Sequence, residues 1–359
     1  MRLSLAKKII LEGIRNNVKQ NTNIGGAVVG NPIKKPISFH LEGSMGIGKT
    51  ALARQIAEEL GFYLVTISLA QLDPTDIGGM RMPDGNKMKV LQPDWYVDAD
   101  RMAEIKAMGY KGVLYFFDEL PQSPILNMNI YAQICDEYRV GEYKIDRSDC
   151  YIMSAGNKLS DKAGTNQMPS HLVDRLSFIE VEANLDDTCN YFSKSGVDHR
   201  YIGWLRFQPE FLHQFKVGEN AYPTPRSHER SSQMLSWNLD ALAMGEAISG
   251  QIGRSAYANL KTFLDIYSKC PDVDKLISDP DNAQLVEEPP IMYALCSSLS
   301  MKANDKNIGN IIKYLQRLPN EEFQAYVLKD ALARDNSLKQ SKDVRAWASA
   351  KGNGKYLVA

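Results

Sequence analysis

The chain has 359 residues, 44% of them hydrophobic and 24% charged, with a formal net charge of -1. That length suffices for two or three domains and a large buried core, and the composition is that of an ordinary globular protein. Near-neutral charge excludes polyanion binding by bulk electrostatics alone, while leaving room for a local basic groove.

The first element, MRLSLAKKIILEGIRNN, reads as an amphipathic helix with Leu5, Ile9, Ile10 and Ile14 near one face. Lysines interrupt its apolar positions, and it lacks the continuous apolar region and small-residue cleavage site of a signal peptide. Residues 17–36, rich in Asn, Gly, Pro and Lys, read as a loop. ISFHLEG is a short strand running into a glycine-rich turn. TALARQIAEEL follows with helical spacing and is stopped by Gly61, and FYLVTISL is a second apolar strand. Asp76-Ile77-Gly78-Gly79 marks a turn or helix cap, and MRMPDGNKMKVL reads as a hairpin about Pro83-Asp84-Gly85. Trp95, in LQPDWYV, reads as core packing, with an interface anchor as its functional alternative. DADRMAEIKAM (98–108) is a helix with an Asp-rich start. GVLYFFDEL is a buried strand closing on two carboxylates, and 123–137 is a helix. YRVGEYKID reads as a hairpin turning near Gly141, CYIMSAGN as an apolar strand ending at Asn157, SHLVDRL as a short helix and SFIEVE as a strand.

Beyond about residue 200 the periodicity predicts helices at 207–216, 226–247, 253–268, 291–302, 306–317 and 320–334. Tyr222-Pro223-Thr224-Pro225 reads as a rigid approach to one of them. Glu287, Glu288, Pro289 and Pro290 mark a break, and the polar, glycine-rich stretch 339–359 reads as partly mobile. Alternating β and α for about 185 residues, then helices alone, predicts a parallel α/β domain followed by helical domains.

Cys135, Cys150, Cys189, Cys270 and Cys296 form no C-x-x-C pair and no zinc spacing, so they read as reduced, buried thiols of a cytoplasmic protein. No apolar run approaches the roughly 20 residues that span a bilayer.

GSMGIGKT, Gly43–Thr50, matches G-x-x-x-x-G-K-[ST] in full, after a strand and at the start of a helix. Gly43, Gly46 and Gly48 let backbone N–H groups wrap phosphates, with Ser44, Met45, Ile47 and Ala51 completing the cradle, and the helix N-terminus adds its positive dipole end. Lys49 is expected to reach the β- and γ-phosphates of ATP, and Thr50 to ligate Mg2+. The alternative, a glycine-rich turn without ligand, leaves Lys49 and Thr50 without purpose. In LYFFDE, about 70 residues on, Asp118 is the second expected magnesium ligand and Glu119 the general base. An apolar strand simply leaving the core is the structural alternative. Asn157 would stand beside the γ-phosphate if its strand neighbours that of Asp118, since ligands of open α/β sheets bind at the carboxyl ends of strands; otherwise it is a plain turn asparagine.

GSMGIGKT, YFFDEL, SAGN, MPSHLVDRLSF and TPRSHERSSQML occur in the order found in MoxR-like AAA+ ATPases, which residues 1–245 resemble. The resemblance implies a P-loop NTPase αβα sandwich with a parallel five-stranded sheet in a core at 1–200, an α-helical lid at 201–270 and a helical C-terminal extension at 271–359. Residues 79–92 look like that clade's helix-2 insert, and 138–147 like its pre-sensor-1 hairpin. Asn157 looks like sensor 1, Arg175 like the arginine finger and Arg226 like sensor 2. An intrachain salt bridge with Asp174 or a nearby acid is the alternative for Arg175, and a surface arginine at a helix start for Arg226, whose neighbour Arg230 lies one turn on. Family members often carry Phe after the finger, where this chain has Leu176. A finger reaches a neighbouring subunit's site, so the resemblance implies a ring, with a hexamer expected. It also implies chaperone-like remodelling of protein complexes with a von Willebrand factor A partner. A nucleic-acid motor or loader, suggested by Lys87, Lys89, Arg139 and Lys144 in the inserts, and a nucleotide-gated assembly platform stand as alternatives. No membrane partner is expected.

Overall fold

The computed structural model describes residues 1–21, 36–161, 164–350 and 353–354. The chain divides into two compact units, Met1–Glu182 and Ala183–Ala359.

The first unit runs α1 (Leu3–Asn21), β1 (Ser38–Glu42), α2 (Lys49–Leu60), β2 (Phe62–Ser68), α3 (Pro74–Gly78), β3 (Arg81–Asp84), β4 (Lys87–Val90), α4 (Ala99–Ala107), β5 (Gly112–Asp118), α5 (Ile125–Glu137), β6 (Arg139–Val140), β7 (Tyr143–Lys144), β8 (Cys150–Gly156), α6 (Ser170–Val173) and β9 (Leu176–Glu180). Five strands form one sheet in the order β2-β5-β8-β1-β9, every pairing parallel. β5 and β8 lie inside it and are buried along almost their whole length, which explains why GVLYFF and CYIMSAG read as unbroken apolar runs rather than as alternation. Val113, Tyr115 and Phe117 join Met128, Tyr131 and Ile134 of α5 in one core. The opposite face is covered by α2, through Leu52, Ala53, Ile56 and Ala57, and by α1, which approaches so closely that a Cβ on Gly13 would lie 2.7 Å from the Phe39 ring. Helices on both faces of a five-stranded parallel sheet make this the α/β P-loop fold.

Helix α1 buries Ala6, Ile10, Leu11 and Ile14, whereas Leu5 and Ile9, expected on that face, are exposed. The 3.6-residue repeat puts Ala6, Ile10 and Ile14 in line, and the small Ala6 lets the helix sit close. The helix also runs through 17–21, expected as loop; the rest of that expected loop, 22–35, lies outside the described residues.

Two antiparallel hairpins stand apart from the sheet, β3-β4 and β6-β7, both at the expected positions. Every residue from Arg81 to Lys89 is exposed. At their bases the hairpins meet: Tyr143 Oη donates to the Val90 carbonyl, and Tyr96 Oη donates to the Lys144 carbonyl at 2.8 Å. Gly141, at φ 56°, provides the backbone conformation that closes the second hairpin beside Val90. Trp95 is core: edge-on to Tyr115 and Phe117 with centroids 5.6 and 5.4 Å away, it donates Nε1–H to the Asp76 carbonyl at 3.2 Å.

The second unit is helical among its described residues: α7 (Leu185–Ser195), α8 (His199–Phe207), α9 (Pro225–Met234), α10 (Ala241–Ile252), α11 (Arg254–Tyr267), α12 (Val273–Ser278), α13 (Pro289–Lys302), α14 (Ile308–Gln316), α15 (Glu322–Arg334) and α16 (Lys342–Ser349). One apolar cluster draws on α7 to α11 and a second on α12 to α16, with α13 contributing to both. The lid and extension expected at 201–270 and 271–359 both lie in this unit, which begins at Ala183, ahead of the expected boundary at 200. The helix expected at 207–216 is instead the end of α8 and a short 3-10 turn, because Pro209 has no N–H to continue the α-helical ladder. The helix expected over 226–247 is two helices: α9 ends at Met234, and Asp240 caps a fresh start by accepting from the Ala243 N–H at 2.8 Å. In the tail expected to be mobile, 342–349 is helical with Val344 and Trp347 buried. Arg206 is held inside the unit by both carboxylate oxygens of Asp330, at 2.6 and 3.1 Å, and by Asp186 at 3.1 Å.

Candidate functional site

Three neighbouring strands of the first unit, β5, β8 and β1, end side by side, and each delivers part of one site. After β1 the chain turns through Gly43–Gly48 into α2. Gly46 and Gly48 have φ of 75° and 107°, a region open to glycine and unfavourable for residues with a Cβ. A Cβ on Gly43 would fall 2.5 Å from the Val181 carbonyl oxygen. The loop is therefore pressed against β9's exit. Helix α2 has no acidic residue in its first turn, so the positive end of its dipole is uncompensated from within the helix.

Lys49, the first residue of α2, is buried. Its Nζ donates to the Gly43 carbonyl at 2.5 Å, the Ser44 carbonyl at 3.0 Å and Asn157 Oδ1 at 2.9 Å. The Gly43 N–H donates to the Gly156 carbonyl at 3.2 Å, which seals the β1 loop to the end of β8. Thr50 Oγ1 donates to Asp118 Oδ2 at 2.7 Å. A hydroxyl and a carboxylate brought together this closely are hard oxygen donors of the kind magnesium takes, one from the helix start and one from the strand end. The glycine turn, the lysine and this oxygen pair suit a magnesium-bound triphosphate.

Glu119 follows with φ 59° and ψ 31°, a left-handed conformation that costs a non-glycine residue about 1–3 kcal/mol. The turn takes its side chain toward β2, where Oε2 accepts from Ser68 Oγ at 2.6 Å. Ser68 is the last residue of β2 and pairs in register with Asp118. Sequence reading did not single it out; the available signal was a hydroxyl closing the strand beside the acidic one, visible only once β2 is known to neighbour β5.

Beneath the loop, His40 in the middle of β1 is fully buried, with Nδ1 2.9 Å from Ser154 Oγ and the ring edge-on to Phe178. Burial, and then the charge of Lys49, push its pKa down to about 3, so the imidazole is neutral.

The structure thus brings together Gly43–Thr50, Asp118, Glu119 and Asn157. It does not bring Arg175 to them. Arg175 precedes Leu176, which pairs with Ser38 at the start of β1, whereas the glycine loop begins past its end. Five strand residues separate the two levels, about 17 Å at about 3.3 Å per residue. Arg175 pairs with Asp136 through Nε at 3.4 Å, rather than with Asp174, and Nη1 donates to the His171 carbonyl at 2.8 Å. Arg226, in the second unit, follows the Thr224 cap and Pro225 at the start of α9; it is exposed, and among the described residues it makes no hydrogen bond or ion pair. No group of three or more His, Cys, Asp or Glu among the described residues is arranged to hold a metal, and no described helix is long and apolar enough to cross a membrane. All five cysteines are free thiols, with Cys270 the least buried.

Residues 39–105, from β1 through most of α4, match the model of the ATPase family associated with various cellular activities (AAA). No curated protein matches the chain at a significant level. Among solved structures, two point mutants of RuvB from Thermotoga maritima align at 14% and 16% identity, with TM-scores of 0.38 and 0.34. The alignments cover 83% and 82% of this chain and 83% and 81% of theirs. A closed state of Hsp104 with ATPγS and FITC casein aligns at 15% identity and TM-score 0.34, over 72% of this chain and 46% of that one. With the glycine loop, its lysine and the β5 acids converging inside and beside the matched segment, the chain has the fold and site of an α/β P-loop ATPase, and its residues 39–105 are similar to the AAA family.

Proposed function

We propose that the chain hydrolyses magnesium-ATP as a subunit of a ring, a hexamer, and uses the cycle to remodel or mature a protein complex in the manner of MoxR-like ATPases. The observation that carries the hydrolytic part is the pairing of Lys49 with Asn157 and of Thr50 with Asp118 across three adjacent strand ends. In this reading Lys49 exchanges its carbonyl partners for β- and γ-phosphate oxygens, and Thr50 and Asp118 would hold the metal. When bound, the metal would supply positive charge against that developing on those oxygens. Glu119 leaves Ser68 to take the proton of the attacking water, and Asn157 orients the γ-phosphoryl.

The sheet geometry supports a finger acting between subunits, because Arg175 stands at the start of β9, beside the start of β1, at the opposite end of the strands from its own chain's loop. Arg226 is the proposed sensor 2; its exposed, unpaired guanidinium supports the role. The expected core at 1–200, lid at 201–270 and extension at 271–359 are proposed as the working parts of that cycle. A von Willebrand factor A partner rests on the family resemblance, and a cytoplasmic location on the five free cysteines. A protein client is favoured by the exposed Met80, Met82 and Met88 on and beside the β3-β4 hairpin, since flexible thioethers suit varied apolar surfaces. The exposed Lys87 and Lys89 on the same hairpin favour the second reading, a nucleic-acid motor.

The test is phosphate release from magnesium-ATP by the full chain, followed by client capture with Glu119→Gln loaded with ATP. Absence of turnover in assembled protein would sink the hydrolytic reading. Single-stranded nucleic acid that binds at low salt and is released steeply as salt rises would replace the protein client with nucleic acid.

A further inference from the structure

We infer that Asp136 is a positioning residue for Arg175, fixing the guanidinium at the angle from which it serves a neighbouring subunit; the inference rests on the reading of Arg175 as a finger acting between chains.

Arg175 is about one-third exposed, and the two contacts recorded for its guanidinium lie on the protein side, Nε with Asp136 and Nη1 with the His171 carbonyl. Among the described residues nothing hydrogen-bonds Nη2. The guanidinium borders an open cavity of about 600 Å³ that is also lined by Ile37, Asp136, His171 and Asp174, room enough for a group from a second copy. A planar fork held at one edge presents its remaining donors in a fixed direction.

The backbone turn bearing that acid is itself held. Asp136 lies in the last turn of α5. The buried hydroxyl of Ser38 donates to the Cys135 carbonyl at 2.9 Å, and Ser38 pairs in register with Leu176, the residue after Arg175. One serine thus ties the turn bearing the acid to the strand that follows the arginine. Arg147 Nη2 donates to the Glu137 carbonyl at 2.9 Å and stacks its guanidinium 5.4 Å from the Tyr138 ring centroid, securing the end of the same turn. The turn bearing Asp136 and the guanidinium of Arg175, both about one-third exposed, are each held by contacts other than the pair. Such a pair adds little to stability, so this placement serves direction.

The experiment measures steady-state ATP hydrolysis and thermal midpoints of assembled full-length Asp136→Ala, Asp136→Asn, Arg175→Ala and the Asp136→Ala/Arg175→Ala double variant. Expected for Asp136→Ala is a fall in kcat of about tenfold to a hundredfold, the scale of a misplaced catalytic group, with KM for ATP within about twofold and an unchanged midpoint. Asp136→Asn, which keeps an oxygen acceptor, recovers part of the loss, and the double variant is no slower than Arg175→Ala. In rings mixed with Lys49→Ala chains, Asp136→Ala regains turnover, because its intact site then meets an intact finger. Parent-level turnover in Asp136→Ala alongside a crippled Arg175→Ala overturns the positioning role alone, as does a double variant whose losses multiply. Parent-level turnover in Arg175→Ala overturns the finger reading and this inference with it.

Discussion

Ser68, the last residue of β2, donates a 2.6 Å hydrogen bond to Glu119, the residue that follows β5, across two strands paired in register. Because β2 lies on the far side of β5 from β1, the bond draws the carboxylate away from the glycine loop. In the proposed cycle, where Glu119 is the base, this is its resting position. Removing the hydroxyl is therefore expected to raise basal turnover. Ser68→Ala should hydrolyse ATP about three to ten times faster, given about 1.5 kcal/mol for a hydrogen bond to a charged group, part of it lost to solvent. Phosphate release at saturating ATP checks this; a slower variant would mean that Ser68 holds Glu119 in its working position.

Glu119→Gln keeps the size of the side chain and removes its basicity. Hydrolysis should fall by about 10²–10⁴, the usual contribution of a general base, while ATP affinity by calorimetry stays at the parent level. Equal rates in the two proteins would remove Glu119 from that role.

Lys49 is the buried cation of the loop, and Asn157 is one of its partners. Lys49→Ala should abolish or severely weaken nucleotide binding. Asn157→Ala should leave affinity nearly intact and slow turnover, because the lysine keeps its bonds to the Gly43 and Ser44 carbonyls. Fluorescent-nucleotide titration beside steady-state kinetics separates the two; comparable affinity losses would make Asn157 a binding residue instead.

Arg175→Ala should lose turnover by about 10³-fold or more while binding ATP normally. Mixed with Lys49→Ala, it should regain activity, since one chain supplies the site and the other the arginine. Rings shown to be mixed yet still inactive would disprove action between chains.

Burial pushes the imidazoles of His40 and His228 down, to about 3 and about 4. Both are neutral in the folded chain at pH 5, whereas an unfolded chain protonates them near 6.5. Below about pH 6.5 the unfolded state therefore binds more protons, and stability falls as pH falls, by about 1.4 kcal/mol per pH unit for each histidine. His40→Gln should flatten the decline in thermal midpoint of the first unit between pH 7 and 5. A slope unchanged from the parent would mean that His40 titrates normally in the fold.

Much of the site was legible beforehand because its chemistry is local. Gly43–Thr50 and Asp118-Glu119 are each contiguous, and a strand that must be buried on both faces announces itself as an apolar run. Asn157 required one further step, adjacency of β8 to β5, which the sheet order supplies. Ser68 was not legible, because its meaning depends on which strand lies beside it. Nor was Asp136, whose partner Arg175 is 39 residues away on another element. In the helical half, Pro209 and Asp240 moved boundaries that periodicity alone had run through, since caps and missing donors act over one turn while the repeat is read over several.

The hydrogen bond from the Tyr143 hydroxyl to the Val90 carbonyl joins the roots of two ribbons that are separated in sequence by the whole of α4, β5 and α5. Gly141 beside Val90, and Tyr96 against Tyr143 at 5.6 Å between centroids, fill the same junction. The paired ribbons are thereby a single forked arm with one shoulder. A displacement of either prong therefore passes to the other through the same few atoms.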